Sequence, residues 1–389
     1  MTNRKRVNVF GAGFTSALSS IIAILVGLAV GFVILLATNP AQAVRGVGII
    51  ASGGFNGGMK GVGQALYYAT PLILTGLSVG FCFKTGLFNI GAPGQLIVGA
   101  FAGIWVGANA SWIPSPLLWL AALLAAALAG ALWGAIPGLF KAMLNVHEVI
   151  ACIMCNYIGM YAVNYLIKNS NAYDPLKNQT IDMTRAAIPK AGLDKIFYSL
   201  KGRFMDASSV NGGIYIALAL AVVMYIILNK TVFGYELKAC GLNRYASKYA
   251  GIQEKRSILL SLTIAGSLSG IAGGLMYLAP AGGLHINVVE TLSAQGFNGI
   301  PVALLGLSNP IGIIFSALFV AHIDQGGYYL QRLEYMPQII DIIIAVIIYF
   351  SAFALLMRQA IGAIQSRLNS RSAKRREGLA DAQEASKHD

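Results

Sequence analysis

Charge is scarce in this sequence. Asp, Glu, Lys and Arg together make up 11% of its 389 residues, where a water-soluble chain of this length carries roughly a quarter. A soluble domain could not cover so much apolar surface with so little charge, and a soluble fold is excluded. Histidine is equally sparse, and His147, His285, His322 and His388 are too scattered to make a metal-ligand cluster. The four cysteines are Cys82, Cys152, Cys155 and Cys240, and three of them lie in or beside apolar runs, which argues against a disulfide framework. Cys152 and Cys155 have the spacing of a redox or zinc pair, but with no second pair nearby and apolar neighbours they read as packing residues. There is no phosphate-cradling Gly-x-x-x-x-Gly-Lys-Ser/Thr loop, no His-Glu-x-x-His and no calcium-binding loop. Nothing here grips a triphosphate, so a self-contained ATP-driven pump is excluded, and no catalytic, metal or cofactor site is expected. The net charge of +13 does not imply nucleic-acid binding, because no basic, aromatic-interleaved domain accompanies it. It fits the basic bias of loops that flank a membrane.

What the sequence does have is apolar length. Residues classed as hydrophobic make up 56% of the chain, and they recur in runs from residue 17 to residue 357. The expectation is an all-α polytopic membrane protein with one continuous transmembrane domain over 17–357. Residues 1–16 would precede it on the cytoplasmic side, and a polar tail, 358–389, would follow it. The spans fall at about 17–37, 66–83, 93–108, 117–139, 148–167, 213–229, 258–279, 294–307, 309–324 and 337–357, about ten helices in all. Segment 294–307 is short enough to read as a half-helix. The opening Arg4-Lys5-Arg6 and the Ala41-Gln42-Ala43 string imitate a signal peptide, but the run between them is long enough to span a bilayer and reads as a retained first helix.

Basic residues favour cytoplasmic N and C termini, since that assignment puts Arg4, Lys5, Arg6, Lys84, Lys141 and the basic residues of 230–256 inside. The Lys- and Arg-bearing stretch 168–203 opposes it. The loop 168–212 then becomes an external cap and 229–257 a cytoplasmic loop. Within the latter, Ala246, Tyr249 and Ala250 fall on one side of a short helix between turn glycines Gly241 and Gly251. Glycine numbers 45, with four-residue spacings at Gly99/Gly103/Gly107, Gly130/Gly134 and Gly266/Gly270/Gly274. Such rows let helix backbones approach closely inside a membrane.

Three polar constellations interrupt the apolar pattern. Thr85-Gly86-Leu87-Phe88-Asn89-Ile90-Gly91-Ala92-Pro93-Gly94-Gln95 cannot be continuous helix. Irregular backbone at membrane depth is tolerated only when it is buried in protein or lines a wet cavity, so this is either a break in a pathway or a tight turn. Asn145-Val146-His147-Glu148-Val149 opens a span that also carries Asn156 and Asn164. Glu148 reads as a helix-start acid that needs a partner, or as a solute contact. Gln295-Gly296-Phe297-Asn298-Gly299-Ile300-Pro301 echoes the first constellation, and paired Gly/Pro interruptions point to an internal repeat around a central site. The candidate pathway residues are therefore Phe88, Asn89, Gln95, Glu148, Asn156, Phe297 and Asn298. Asp341, at the start of the last span, is a candidate carboxylate for ion coupling or an interfacial helix-start acid.

The first constellation, Pro137-Gly138-Leu139-Phe140-Lys141-Ala142, Asn145-Val146-His147-Glu148-Val149-Ile150, and Gly241-Leu242-Asn243 with Tyr249-Ala250-Gly251-Ile252 occur in the order of one group of bacterial ABC importer permeases. Over about residues 60–357 the chain resembles the simple-sugar and nucleoside group, related to the ribose and branched-chain amino acid permeases. Two departures bear on which solute is carried: Pro93 stands where glutamate commonly precedes Gly-Gln, and His147 where asparagine is common. The resemblance implies a fold like the vitamin B12 importer's. It also implies a multi-pass subunit of the bacterial cytoplasmic membrane that is not itself an enzyme. The partners it implies are ABC ATPase subunits, a second and often non-identical permease, and an extracellular substrate-binding lipoprotein. Loop 229–257 would be the segment coupled to the ATPase, through Gly241, Asn243, Arg244, Ala246, Tyr249 and Gly251. The solute would be a nucleoside, alternatively a simple sugar of the ribose or galactose type. An ion-coupled secondary transporter is the rival from another class.

Overall fold

The computed structural model describes residues 12–201, 204–278 and 284–352. The basic cluster Arg4-Lys5-Arg6, the tail 358–389 and the last residues of the expected span 337–357 lie outside the described residues. Thirteen α-helices are described. α1 is Ala12–Thr38, α2 Ala43–Ser52, α3 Gly58–Lys84, α4 Ala92–Asn109, α5 Ser115–Leu144, α6 Glu148–Lys168 and α7 Gly213–Lys230. α8 is Val232–Leu242, α9 Arg244–Tyr249, α10 Glu254–Tyr277, α11 Ala294–Leu305, α12 Pro310–Leu330 and α13 Pro337–Ala352. Every apolar run read from the sequence is helical where it is described, because a bilayer satisfies backbone groups only through internal hydrogen bonds. Six stretches are long and apolar enough to cross a membrane: Ala43–Lys84, Ser115–Leu144, Glu148–Lys168, Gly213–Lys230, Glu254–Tyr277 and Pro310–Leu333. α11, with 12 residues, rises only about 18 Å at 1.5 Å per residue, well short of a bilayer core.

The chain divides into two compact units, residues 1–43 with 341–389, and residues 44–340. In the first, Gly31 of α1 faces Ile343 of α13, and a Cβ on Gly31 would come within 2.9 Å of the Ile343 side chain.

The second unit is organised around glycine rows. Gly99 of α4 and Gly130 of α5 both meet Gly270 of α10, and a Cβ on Gly134 would lie 2.9 Å from the Gly266 Cα. α4, α5 and α10 therefore touch backbone to backbone, and dispersion between main chains replaces side-chain packing. α3 is buried along most of its length. By contrast, α5 exposes Leu117, Leu120, Leu124, Leu128 and Leu132, a leucine face suited to lipid. A 3₁₀ turn at Gly53–Gly57 precedes α3. His322 of α12 holds it: Nδ1 accepts from the Gly54 amide at 3.3 Å, and Nε2 lies 3.1 Å from the Ala51 carbonyl.

The stretch 169–212 folds as a cap. Two antiparallel hairpins, β1 (Tyr173–Asp174) with β2 (Gln179–Thr180) and β3 (Tyr198–Lys201) with β4 (Phe204–Ala207), carry it. It is tied to the bundle by the Ile188 amide donating to the Leu278 carbonyl, the Thr180 amide donating to Ile286, and a 2.7 Å ion pair between Lys60 and Asp206.

Candidate functional site

α3 cannot run on past Lys84, because Gly86 takes a left-handed φ of +69°, open to glycine at no steric cost. The chain re-enters a helix only at Ala92, where Pro93 occupies the first turn and needs no amide partner. The irregular backbone between them is braced by a closed set of polar side chains. The Asn89 amide donates to Ser78 Oγ at 3.0 Å and to Gln95 Oε1 at 2.9 Å, while Gln95 Nε2 donates back to Asn89 Oδ1 at 3.1 Å. Asn89 Oδ1 also accepts the Gly91 amide at 3.2 Å. Ser269 of α10 reaches Ser78 at 2.9 Å, and Ser78 donates to the Ala265 carbonyl at 2.7 Å. From α6, Asn156 accepts the Gly94 amide and donates to the Ile90 carbonyl, both at 2.9 Å.

Sequence reasoning nominated Asn89, Gln95 and Asn156 separately, and the fold gathers them into one buried network. Each is at most 1% exposed, so here they hold the break in shape and line no open surface. The reason is energetic: unpaired amides and carbonyls at this depth each cost about 1–3 kcal/mol. Phe88 is half-buried and stacks on Phe83, with ring centroids 5.4 Å apart. Phe297 and Asn298 are half-buried on α11. That helix meets the break directly, since a Cβ on Gly296 would lie 2.5 Å from the Pro93 Cα and one on Gly299 would lie 2.7 Å from Thr75. The two Gly/Pro-interrupted segments thus touch. Glu148 stands apart from them at the first turn of α6, ion-paired with Lys141 at 2.9 Å. His147 caps the same helix through Nδ1, which accepts the Val149 amide at 3.3 Å.

Gly76-Leu77-Ser78-Val79-Gly80 has the Gly-x-Ser-x-Gly spacing of a hydrolase nucleophile turn. In the structure it lies in mid-helix with Ser78 fully buried and committed to Asn89, Ser269 and Ala265. It is a packing serine. Cys152 and Cys155 are likewise buried free thiols, and the described residues contain no group of three or more metal-ligating side chains.

A cavity of about 300 Å³ opens beside the N-terminus of α11. Asn164 and Met160 of α6, Ile97 of α4, Tyr277 of α10, the 285–292 loop, and Ser293 and Gln295 line it. Asn164 donates to the Val289 carbonyl at 2.9 Å, and Ser293 lies 3.1 Å from Gln295 Oε1. His285 faces Asp182 of the cap at 3.3 Å. Of these residues the sequence reading had noted Asn164, His285 and Gln295, and none of them as a pathway residue. The cavity joins four separate chain segments, a coincidence that no local pattern encodes.

At the other end of the bundle, the 229–257 loop is two helices. Thr231 caps α8 by accepting the Gly234 amide at 3.1 Å, and Asn243 caps α9 by accepting the Ala246 amide at 3.0 Å. Gly251 closes the loop with φ +82°, as a turn glycine should. Gly241 does not have the expected turn role. It lies inside α8, where a Cβ would come 2.6 Å from the Lys84 carbonyl oxygen and 2.8 Å from the Gly86 nitrogen. It is needed for close approach, at the point where α8 meets the base of the break. Ser247 faces inward, while Tyr245, Ala246, Tyr249 and Ala250 are exposed. Arg244 lies 3.9 Å from Glu254.

The chain is similar to several known membrane permeases. The chain is 38% identical to the guanosine ABC transporter permease protein NupP of Bacillus subtilis over 89% of its own length and 96% of that protein's. It is 35% identical to the nucleoside ABC transporter permease protein NupB of Lactococcus lactis, over 85% of this chain and 89% of that one. It is 32% identical to the glucose ABC transporter permease protein TsgB13 of Haloferax volcanii, over 85% of each. A second guanosine permease of Bacillus subtilis, NupQ, is 28% identical over 66% of this chain and 78% of its own. The profile described as branched-chain amino acid transport system / permease component matches residues 61–352, and the chain belongs to that family of membrane permeases.

Proposed function

We propose that this chain forms half of the membrane pathway of an ATP-driven importer for nucleosides, in a bacterial cytoplasmic membrane with both termini inside. The observation that carries the reading is 38% identity to a guanosine permease across nearly the whole of both chains. The second permease is non-identical on this reading, since Bacillus subtilis has two guanosine permeases and both match here. The ten-helix arrangement of the vitamin B12 importer would place the break at 85–91 and the half-helix α11 beside the route.

The motor is a separate ABC ATPase that engages the exposed face of α9. Asn243, Arg244, Ala246, Tyr249 and Gly251 form that surface, and Gly241 transmits its displacement to the base of the break. ATP binding would exchange two discrete packings of the bundle. An extracellular binding lipoprotein captures the solute, so tight binding within the membrane is not required. Phe88, Phe297 and Asn298 are half-buried beside the break and reach the route when it opens.

A simple sugar is the second reading, favoured by the glucose permease at 32% identity. Ion coupling has less support, because Glu148 is ion-paired with Lys141. Uptake of labelled guanosine, ribose and glucose, in cells with and without the gene, separates these readings. Gene-dependent, ATP-dependent uptake of guanosine is expected. Uptake of sugar alone, or uptake that survives ATP depletion and collapses with the ion gradient, would sink the nucleoside importer.

A further inference from the structure

α6 carries a row of tyrosines that the break and the coupling loop do not use. Tyr157, Tyr161 and Tyr165 recur every fourth residue and share one face, and they are 48%, 52% and 69% exposed. Among the described residues none of the three hydroxyls has a hydrogen-bond partner. Counting 1.5 Å per residue from Glu148, Tyr157 and Tyr161 lie about 14 and 20 Å along a helix of about 30 Å. They therefore sit near mid-membrane, away from the interfacial belts where tyrosine is ordinarily stable in lipid. Hydrocarbon offers a phenol hydroxyl nothing to bond to. The exposed leucines of α5, Leu117, Leu120 and Leu124, have the composition expected where a helix faces lipid.

The row is continuous with the cavity beside α11. Met160 and Asn164 line that cavity, and each stands three residues after a tyrosine of the row, hence next to it on the helix surface. The cavity's apolar walls, Ile97 and Met160, suit a flat ring, while the amides of Asn164 and Gln295 suit hydroxyls and base edges. At about 300 Å³ it is at the lower limit of ligand pockets, room for one small solute. No Lys or Arg is among its lining residues, which disfavours a phosphorylated solute.

We infer that the Tyr157–Tyr161–Tyr165 face is the nucleobase-bearing wall of the transport route, with the Asn164–Gln295 cavity as its outer mouth. This rests on the nucleoside reading above and assigns that reading its recognition surface. The base stacks on successive rings while the hydroxyls face the water of the open route.

The test uses the complete transporter in whole cells, with Tyr161→Cys and Leu124→Cys as separate variants. The four native thiols are buried, and the parent serves as the labelling blank. A membrane-impermeant maleimide reacts only with a hydrated thiolate, so labelling of Tyr161→Cys is expected to be at least about tenfold faster than that of Leu124→Cys. Guanosine should slow it and guanosine monophosphate should not. In uptake, Tyr161→Phe should keep the wild-type maximal rate while Tyr161→Ala lowers it about 5- to 100-fold, the range of a lost base–aromatic stack, with the KM, set by capture outside the membrane, unchanged. Labelling as slow as at Leu124 places the row in lipid or against the second permease and overturns the inference, as does labelling that guanosine leaves unchanged. If the wild-type transporter carries no nucleoside at all, the nucleoside reading itself has failed. Wild-type guanosine uptake with indifferent tyrosine variants rejects only the wall.

Discussion

Replacing Gly241 by alanine should separate ATP hydrolysis from solute movement while leaving the bundle folded. The added methyl would stand 2.6 Å from the Lys84 carbonyl oxygen and 2.8 Å from both the Gly86 nitrogen and the Thr85 carbonyl carbon. All three are main-chain atoms, and Gly86 is already in a left-handed turn, so no side chain can swing aside. α8 must move away from the base of the break by several tenths of an ångström or more. Overpacking of this kind costs about 1–3 kcal/mol, too little to unfold a bundle whose glycine rows lie elsewhere. It is enough to shift an equilibrium between two packings by about tenfold or more. In proteoliposomes containing the full transporter, the ratio of guanosine imported to ATP hydrolysed should fall about tenfold. The ATPase rate should stay near wild type, and the detergent melting midpoint should fall by only a few degrees. Normal coupling in a stably inserted Gly241→Ala protein would refute the idea that force passes through this contact.

Gly251 and Gly192 offer a matched pair. Both have φ near +80°, at +82° and +81°, and neither would clash with a Cβ. Alanine at either position should cost about 1–2 kcal/mol of backbone strain, but if the 229–257 loop engages the ATPase as proposed, uptake per ATP should fall only for Gly251→Ala, and equal losses would count against the coupling assignment. Asn89→Leu strands the polar atoms of Gln95 and Ser78 and should lower stability by about 2–4 kcal/mol, seen as a drop in melting temperature in detergent; an unchanged midpoint would show that the brace is dispensable. Glu148→Gln leaves the Lys141 ammonium without its partner in a site where both side chains are about one-tenth exposed. It should destabilise by about 3 kcal/mol while ATP-driven uptake persists in whatever protein survives, and complete loss of uptake at normal abundance would revive an ion-coupling role.

Much of the helical layout was legible because its signals are local. A run of apolar residues is helical in a bilayer whatever lies beside it, and Gly86 and Pro93 mark the break between α3 and α4 by what their own backbones permit and forbid. The caps at Thr231 and Asn243 are local for the same reason. Asn89, Gln95 and Asn156 were recognisable as unusual polar groups, yet whether they face a route or one another depends on α3, α6 and α10 arriving together. Gly241 was misread as a turn glycine because crowding by Lys84 and Gly86, far away in sequence, leaves no trace in its neighbours.

By itself the sequence determined that the protein lives in a membrane and that its helices pack through glycine. Composition and short-range spacing suffice for these, since they reflect the solvent around each segment and the reach of each residue. Only tertiary structure decided that the polar residues of the break bond to one another, that α11 is lodged against Pro93 and Thr75, and that α8 bears on the base of the break. Apart from the Asn89–Gln95 pair, which is local, those outcomes arise from contacts between segments tens to hundreds of residues apart, whose free energy exists only once the chain has closed on itself.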